Sequence, residues 1–231
     1  AMDSVKLNQE GVAPIKAELA AIDALKDKGE IYAYIAESQK KGIRPYFTMF
    51  VSADDMNSSM NIVQTYQGGI GMGQRDYYLE NDEQTKNIRN KYQEHIAKMF
   101  QLAGYDEATA QKAVKAVINI ETRLAKAARS QVELRDPHAN YNKMDRATLK
   151  KNFPTFDWDT YFTVSGLKDL EEVNVGQPAA MKEVADVINT VSLDDQKLYL
   201  QWGLIDAAAS YLSDDFEAQN FDFYSRTMSG K

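Results

Sequence analysis

Cysteine is absent from the 231 residues, so disulfides, thiol nucleophiles and cysteine-based metal sites are excluded. Only two histidines, His95 and His138, are available for imidazole chemistry. No apolar run approaches the roughly 18 residues that a membrane-spanning helix needs. Lys and Arg number 27 against 34 Asp and Glu. The resulting net charge of -7 argues against nucleic acid as a partner, because an acidic surface repels phosphate backbones.

The two ends of the chain do not resemble natural termini. The first residues, AMDSVKLNQEG, lack the basic segment followed by an apolar one that marks a signal peptide. The last residues, FDFYSRTMSGK, stop abruptly. We therefore expect a fragment of a longer protein, large enough to bury a core of its own.

Helical periodicity dominates the chain. Ile15, Leu19 and Ile22, for example, recur at steps of three and four and form one apolar stripe. Residues 44–67 differ, because two runs rich in β-branched and aromatic residues flank the polar turn DDMNSSM. The sequence predicts a mainly α fold: a multi-helical lobe with a small two-stranded β-hairpin near residues 44–67, within a single helical domain that covers residues 1–231.

Capping residues mark several helix ends. Asn81, with Gln84 three residues later, has the spacing of a capping box. Pro178 is placed to open a helix that continues to about Thr190. Residues 166–177 lack periodicity and are predicted as a loop, with a short strand at EEVNV. Further helix starts are predicted at Asp106, Asp145 and Ser192, and a last helix at about 215–228.

The stretch GGIGMGQRDYYLEND, residues 68–82, is the first candidate for chemistry. A dinucleotide-binding loop needs G-x-G-x-x-G, but the third position falls on Gln74 or Asp76 in the two available registers. A P-loop needs Gly-Lys-Ser/Thr, which is absent. We therefore interpret Gly69, Gly71 and Gly73 as residues that give backbone freedom where the chain leaves a strand.

The residues that follow, Arg75, Asp76, Tyr77 and Tyr78, are interpreted as a buried, hydrogen-bonded tie. A partly buried tyrosine usually finds a partner for its hydroxyl, and arginine offers several donors to backbone carbonyls. A catalytic role for this cluster is the less favoured alternative.

Neither histidine has a partner at metal-binding spacing. A zinc peptidase helix needs H-E-x-x-H, and the reversed H-x-x-E-H is missing as well. His95 lies beside an apolar helical stripe and His138 lies in a predicted loop, so both are interpreted as structural or solvated. A Ser-His-Asp triad assembled from distant positions stays open, although no G-x-S-x-G motif is present.

Paired carboxylates fall in predicted loops or first helical turns, where helix N-termini favour negative charge. Capping or solvation explains them better than acid–base catalysis. The sequence therefore predicts no catalytic, no cofactor-binding and no metal-binding residue in this chain. The pairs are Glu171–Glu172, Asp194–Asp195 and Asp214–Asp215.

Three stretches resemble the neprilysin family of zinc metallopeptidases, which includes the endothelin-converting enzymes and the bacterial oligopeptidase O group. GGIGMGQRDYYL is similar to the family signature L-G-L-P-x-R-D-Y-Y. RDPHANYNKMDRATLKKNFPTFDWDTYF and YLQWGLIDAAASYLSDDFEAQNFDFYSRTMSG resemble later parts of the same N-terminal domain. The resemblance covers essentially the whole chain. Departures are Ile70 and Met72 in place of leucines and Gly73 in place of proline. The lack of cysteine differs from the animal members and favours a bacterial origin.

The resemblance implies two largely helical lobes around a cavity, with zinc bound by H-E-x-x-H and a later glutamate in the catalytic lobe. Those motifs would lie downstream of Lys231, and the arginine that grips the substrate carboxylate would lie upstream of Ala1. The implied function is that of a non-catalytic lobe of a bacterial zinc metalloendopeptidase, capping the cavity and restricting substrates to peptides. This fragment would be inactive and would hold no cofactor, zinc belonging to the parent enzyme.

The implied partners are the catalytic domain of the same parent chain and, in the parent, peptide substrates. The family's usual setting implies an extracytoplasmic location, periplasm or cell surface. The alternative is a stand-alone helical module that binds peptides or proteins without catalysis. Whether the gene continues past Lys231 discriminates between the two. An unrelated enzyme with a dispersed triad is a third reading.

Overall fold

The computed structural model describes residues 11–230. Residues 1–10 and Lys231 lie outside the described residues, and part of the single-domain prediction falls on them. Helices dominate the described chain, as the sequence predicts. The α-helices are α1 (Lys16–Asp23), α2 (Glu30–Lys40), α3 (Asp76–Leu79), α4 (Glu83–Leu102), α5 (Glu107–Ala127), α6 (Arg146–Asn152), α7 (Trp158–Val164), α8 (Pro178–Thr190), α9 (Leu193–Ala208) and α10 (Asp214–Phe221). The strands are β1 (Phe47–Asp54), β2 (Asn57–Gln67), β3 (Lys143–Asp145) and β4 (Glu172–Val175).

The described chain ends in a π-helix, Asp222–Met228, rather than in continuous α-helix over 215–228. Short 3₁₀ turns precede α1 at Ala13–Ile15 and follow α9 at Ala209–Tyr211. A third 3₁₀ turn covers Glu133–Arg135. Two compact units divide these elements: among the described residues, one holds 11–25, 77–120 and 192–230, and the other holds 26–76 and 121–191.

Aspartate followed by threonine three residues later starts four of the helices. Asp82 accepts a 2.9 Å hydrogen bond from the Thr85 amide, and the Thr85 hydroxyl bonds the other carboxylate oxygen at 2.8 Å. These bonds satisfy donors that a helix N-terminus otherwise leaves open. The predicted cap at Asn81 is therefore wrong by one residue, whereas Asp106, Asp145 and Ser192 are confirmed as caps. The same motif occurs at Asp82/Thr85, Asp106/Thr109, Asp145/Thr148 and Asp157/Thr160.

The predicted hairpin is present, but it belongs to a four-stranded sheet with the order β1-β2-β4-β3. β1 and β2 are antiparallel, β2 and β4 are parallel, and β3 and β4 are antiparallel. The short strand expected at EEVNV is confirmed as β4. The prediction of only two strands is wrong, because β3 and β4 obtain their partners from distant parts of the sequence.

An aromatic cluster forms the core of the unit that carries the sheet. Phe156 stands at its centre, with ring centroids 4.3 Å from Trp158 and 4.8 Å from Tyr32. Tyr161 lies 5.7 Å from Phe156, and all four side chains are buried. Edge-to-face contacts of this kind add to the stabilisation that burial of large rings provides.

The other unit has its own aromatic core. Trp202 donates a 3.0 Å hydrogen bond from its indole nitrogen to the Tyr92 hydroxyl, and Phe223 lies 5.3 Å from the Tyr92 ring.

At the end of α1, Asp23 accepts hydrogen bonds from two side chains of α9. Lys197 bonds its backbone carbonyl and Gln201 its carboxylate, both at 2.8 Å.

Gly176 and Gly203 allow a matched test of how closely the end of β4 approaches β2. A Cβ at Gly176, just after β4, would stand 3.0 Å from the Thr65 carbonyl oxygen and 3.6 Å from the Tyr66 ring. A Cβ at Gly203, inside α9, would have no atom within 4 Å. We expect Gly176→Ala to lower the free energy of unfolding by about 1–3 kcal/mol. Gly203→Ala should raise it by about 0.5–1 kcal/mol, because alanine is the better helix former.

Urea denaturation followed by far-ultraviolet circular dichroism measures both changes. A Gly176→Ala protein as stable as the unmodified chain would show that the β4–β2 approach is not tight.

Candidate functional site

The glycine stretch connects β2 to α4 and carries no phosphate-binding geometry. Gly69 and Gly73 have φ angles of 74° and 84°, so their predicted need for backbone freedom is confirmed. Gly71 does not have a positive φ, and that part of the prediction is wrong. Its amide instead donates a 3.1 Å hydrogen bond to the carboxylate of buried Glu121.

Arg75 to Tyr78 are not gathered into one buried cluster. Arg75 donates from Nε to the Ala125 carbonyl at 3.3 Å, as predicted for an arginine bonding backbone. Asp76 is exposed and begins α3, so the expectation of a buried tie is wrong for this residue. Tyr78 is buried and meets Tyr92 edge-on at 6.5 Å. Arg75 and Tyr78 therefore have structural contacts.

His95 is packed inside an aromatic cage. Its ring stacks on Phe223 at 4.9 Å and meets Trp202 edge-on at 5.5 Å. The Gln219 side-chain nitrogen lies 3.1 Å from His95 Nδ1. Because an amide nitrogen only donates, Nδ1 accepts and the neutral ring carries its proton on Nε2. Nε2 has no hydrogen-bond partner among residues 11–230.

Burial, with a smaller contribution from Lys98, lowers the pKa of His95 to about 3. The ring is therefore neutral near pH 7. It is a core histidine, as the sequence indicates.

Asp206 carries a buried carboxyl that no sequence motif marks. Burial raises its pKa from 3.8 to about 6, against a smaller lowering by the neighbouring Tyr224 hydroxyl. One of its carboxyl oxygens, Oδ1, has no partner within the described part of the chain. Tyr224 lies on the π-helix and also contacts the His95 ring edge-on at 5.5 Å.

The remaining candidates lie where the sequence places them. His138 is exposed in a loop, with its backbone amide bonded to Asp136 at 3.0 Å. Asp194 and Asp195 lie in the first turn of α9. The same holds for Asp214 and Asp215 in α10, and Glu171–Glu172 stand at the start of β4.

Within residues 11–230, no three side chains of histidine, aspartate or glutamate are grouped so that they could hold a metal ion. Nor does any helix there have the length and apolar character to span a bilayer.

Residues of the RDPHANYN segment form a buried polar network instead of a catalytic one. Arg129 donates to Asn140 Oδ1 at 2.7 Å and to the Gly176 carbonyl at 3.2 Å. Gln177 also donates to Asn140 Oδ1, at 3.2 Å, while its own oxygen accepts from the Gln67 amide at 2.8 Å. The sequence gives no periodic signal for this network, because its members come from four separate loops and strand ends.

A second network stands at the tip of the hairpin. The Lys143 ammonium lies 3.3 Å from buried Asp54 and 3.2 Å from Glu172. Asp54 also accepts a 2.9 Å bond from the Met56 amide, which lowers its pKa together with hydrogen bonds from Tyr141 and Lys143. These residues were not predicted as a group, since β3 brings Lys143 to Asp54 across 89 residues.

His95 and Asp206 are expected to change stability with pH in opposite directions. Between pH 6.5 and 3 the unfolded chain protonates His95 while the folded chain does not, so His95 lowers stability as pH falls. Between pH 3.8 and 6 the folded chain protonates Asp206 while the unfolded chain does not, so Asp206 lowers stability as pH rises. Each slope is about 1.4 kcal/mol per pH unit at most.

We therefore expect His95→Phe, measured against the unmodified chain by urea denaturation, to gain relative stability from pH 6.5 down to pH 4. Asp206→Asn should gain relative stability as pH rises from 4 to 7. Parallel pH profiles for all three proteins would contradict both assignments.

A family model described as peptidase family M13 matches residues 1–231. Human endothelin-converting enzyme 1 is 29% identical over 179 residues, which are 75% of this chain and 23% of that protein. The endothelin-converting enzyme homolog of Locusta migratoria is 32% identical over 181 residues, 74% of this chain and 25% of that protein. The chain thus spans about a quarter of the length of these relatives.

Solved structures agree with the sequence relatives. Zinc metalloprotease ZMP1 of Mycobacterium tuberculosis, in complex with an inhibitor, superposes with a TM-score of 0.91 and 32% identity. That match covers 97% of this chain and 34% of the ZMP1 chain. PEPO of Lactobacillus rhamnosis, at 17% identity and a TM-score of 0.77 over 99% of this chain and 36% of its own, shares the fold. The chain belongs to peptidase family M13 and represents its neprilysin-type N-terminal domain.

Proposed function

We propose that this chain serves as the non-catalytic lobe of an M13 zinc metalloendopeptidase, in which it caps the substrate cavity and restricts substrates to peptides. The observation that carries the proposal is the match to an M13 family model along all 231 residues, together with a span of about a third of the ZMP1 chain. The periplasm or cell surface is the proposed location, by analogy with the endothelin-converting enzymes.

The residues present do not fit a zinc site. The two histidines are 43 positions apart. His95 is enclosed by aromatic rings and His138 is exposed in a loop. No cleavage step is therefore assigned to residues of this chain. A catalytic, cofactor-binding or metal-binding residue is not proposed for it, and its contribution would be to enclose the substrate and exclude water.

The purified 231-residue chain tests the catalytic part of this proposal. We expect less than one zinc per ten chains by inductively coupled plasma mass spectrometry, and no cleavage of an internally quenched peptide with added zinc. The complete gene product is the positive control. One bound zinc per chain, with cleavage abolished by a chelator, would overturn the proposal.

The source gene tests the assignment to a longer enzyme. We expect an in-frame H-E-x-x-H downstream of the codon for Lys231. Given that motif, the complete product should cleave a flexible peptide and spare the same sequence held in a folded protein. Equal cleavage of both would contradict size restriction by this lobe.

A further inference from the structure

Strand β2 lies between β1 and β4, and it is only partly paired on the side of β4. It pairs with β1 without interruption from Asn61 to Gln67 and again at Asn57, after a register shift that leaves residues 58–60 out of the ladder, but it pairs with β4 only at Gln64 and Thr65. Before Gln64, therefore, the side of β2 that faces away from β1 has no strand partner within residues 11–230. Backbone N–H and C=O groups along such an edge are a template for another strand.

A cleft of about 530 Å³ opens at this part of β2, and we name it the hairpin cleft. Residues 60–63 of β2 line it on one side, and residues 169–172, just before β4, line it on the other. Tyr141 and Lys143 complete the lining. The cleft is thus situated where β2 and β4 diverge.

The lining combines exposed apolar side chains with excess negative charge. Val51, Met56 and Met60 are 62%, 67% and 58% exposed, which is unusual for neighbouring large apolar residues. Lys143 is the one cation among the lining residues, and it already bridges Asp54 and Glu172. The lining also includes two further exposed carboxylates, Asp169 and Glu171.

We propose that the hairpin cleft binds an extended basic peptide, which adds as a short strand to residues 61–63 of β2. Strand addition supplies main-chain hydrogen bonds, and alternate side chains of the peptide point to opposite faces. Apolar side chains of the peptide would cover Met60, while its lysine or arginine side chains would meet Asp169 and Glu171. Residues 61–63 at roughly 3.3 Å each give a regular edge of about 10 Å, which pairs three residues of the peptide, and the remaining peptide residues lie along the cleft.

This inference goes beyond the proposed function, because binding at β2 requires neither zinc nor cleavage. It can fail while the chain is still the lobe of a peptidase. It can also hold if the chain proves to be a stand-alone module.

The test is fluorescence anisotropy of a labelled hexapeptide of alternating lysine and valine, titrated with the 231-residue chain at low salt. We expect saturable binding that weakens with added salt, since exposed charges are screened. A matched peptide with glutamate for lysine should not bind. A third peptide, N-methylated at alternate residues on its pairing edge, should also fail, because it cannot form the main-chain bonds.

Substitutions in the chain test whether the peptide binds at the hairpin cleft. The double variant Asp169→Asn/Glu171→Gln should weaken binding of the lysine peptide about fivefold, as expected for two exposed charge pairs. Lys143→Met should strengthen binding, because it frees Glu172 and removes a repelling cation. Glu37→Gln/Glu94→Gln makes the same change in net charge outside the cleft and should leave binding unchanged. Thermal unfolding of each variant confirms that it is folded.

Several results would overturn the proposal. These are equal binding of the glutamate peptide, equal binding of the N-methylated peptide, or equal weakening by the two double variants. Absence of binding, or self-association of the chain through this edge in analytical ultracentrifugation, would do the same.

Discussion

Hydrogen bonds from side-chain amides hold together the unit that carries the sheet. Gln67, at the end of β2, bonds the backbone of Arg129 in both directions: its oxygen accepts from the amide at 2.8 Å and its nitrogen donates to the carbonyl at 3.0 Å. This reciprocal pair imitates one rung of a β-ladder. It joins residues from segments 26–76 and 121–191, which are separate in the sequence. Buried backbone groups must find partners, and here side chains supply them where strands end.

Side-chain amide hydrogen bonds also connect β4 to its neighbours. Asn174 Oδ1 accepts a 2.6 Å hydrogen bond from the Asn142 amide, and its side-chain nitrogen donates to Gln64 at 3.1 Å. One side-chain amide of β4 thus connects β2 with the residue before β3. A parallel pairing of two residues would be weak alone, and these bonds extend it. Unpaired amides in this interior would cost about 1–3 kcal/mol each. In this unit, therefore, Asn142 of the stretch that resembles the neprilysin family maintains architecture.

Local signals in the sequence predicted most of the fold. The helix starts at Asp106, Asp145 and Ser192 and the turn at residues 54–57 depend on neighbouring residues, and local patterns report such neighbours well. The cap at Asp82 was missed because Asn81 offers an equally good capping side chain one position earlier. The strand β3 was missed because three residues carry no alternation, and its partner β4 lies almost 30 residues away in the sequence.

The candidate site was predictable only in part. The absence of a metal-binding helix follows directly from the spacing of His95 and His138. The buried carboxyl of Asp206 could not be anticipated, because polar and apolar residues are mixed around α9 and their pattern does not mark a buried side. The hairpin cleft forms where β2 and β4 diverge, and no local sequence pattern indicates where two distant strands separate. Features that depend on non-local pairing therefore needed the structure.

The bonds from Asp23 to α9 also have a consequence for synthesis. Lys197 is 174 residues away from Asp23, so α1 leaves the ribosome long before its partner helix exists. At roughly 5–20 residues per second, that interval is about 10–35 seconds. The sheet-bearing unit is completed at residue 191, before the residues 192–230 that the first unit requires. The unit that contains the earliest described helix is thus the later one to finish, and during translation α1 presents its apolar stripe to solvent and to chaperones.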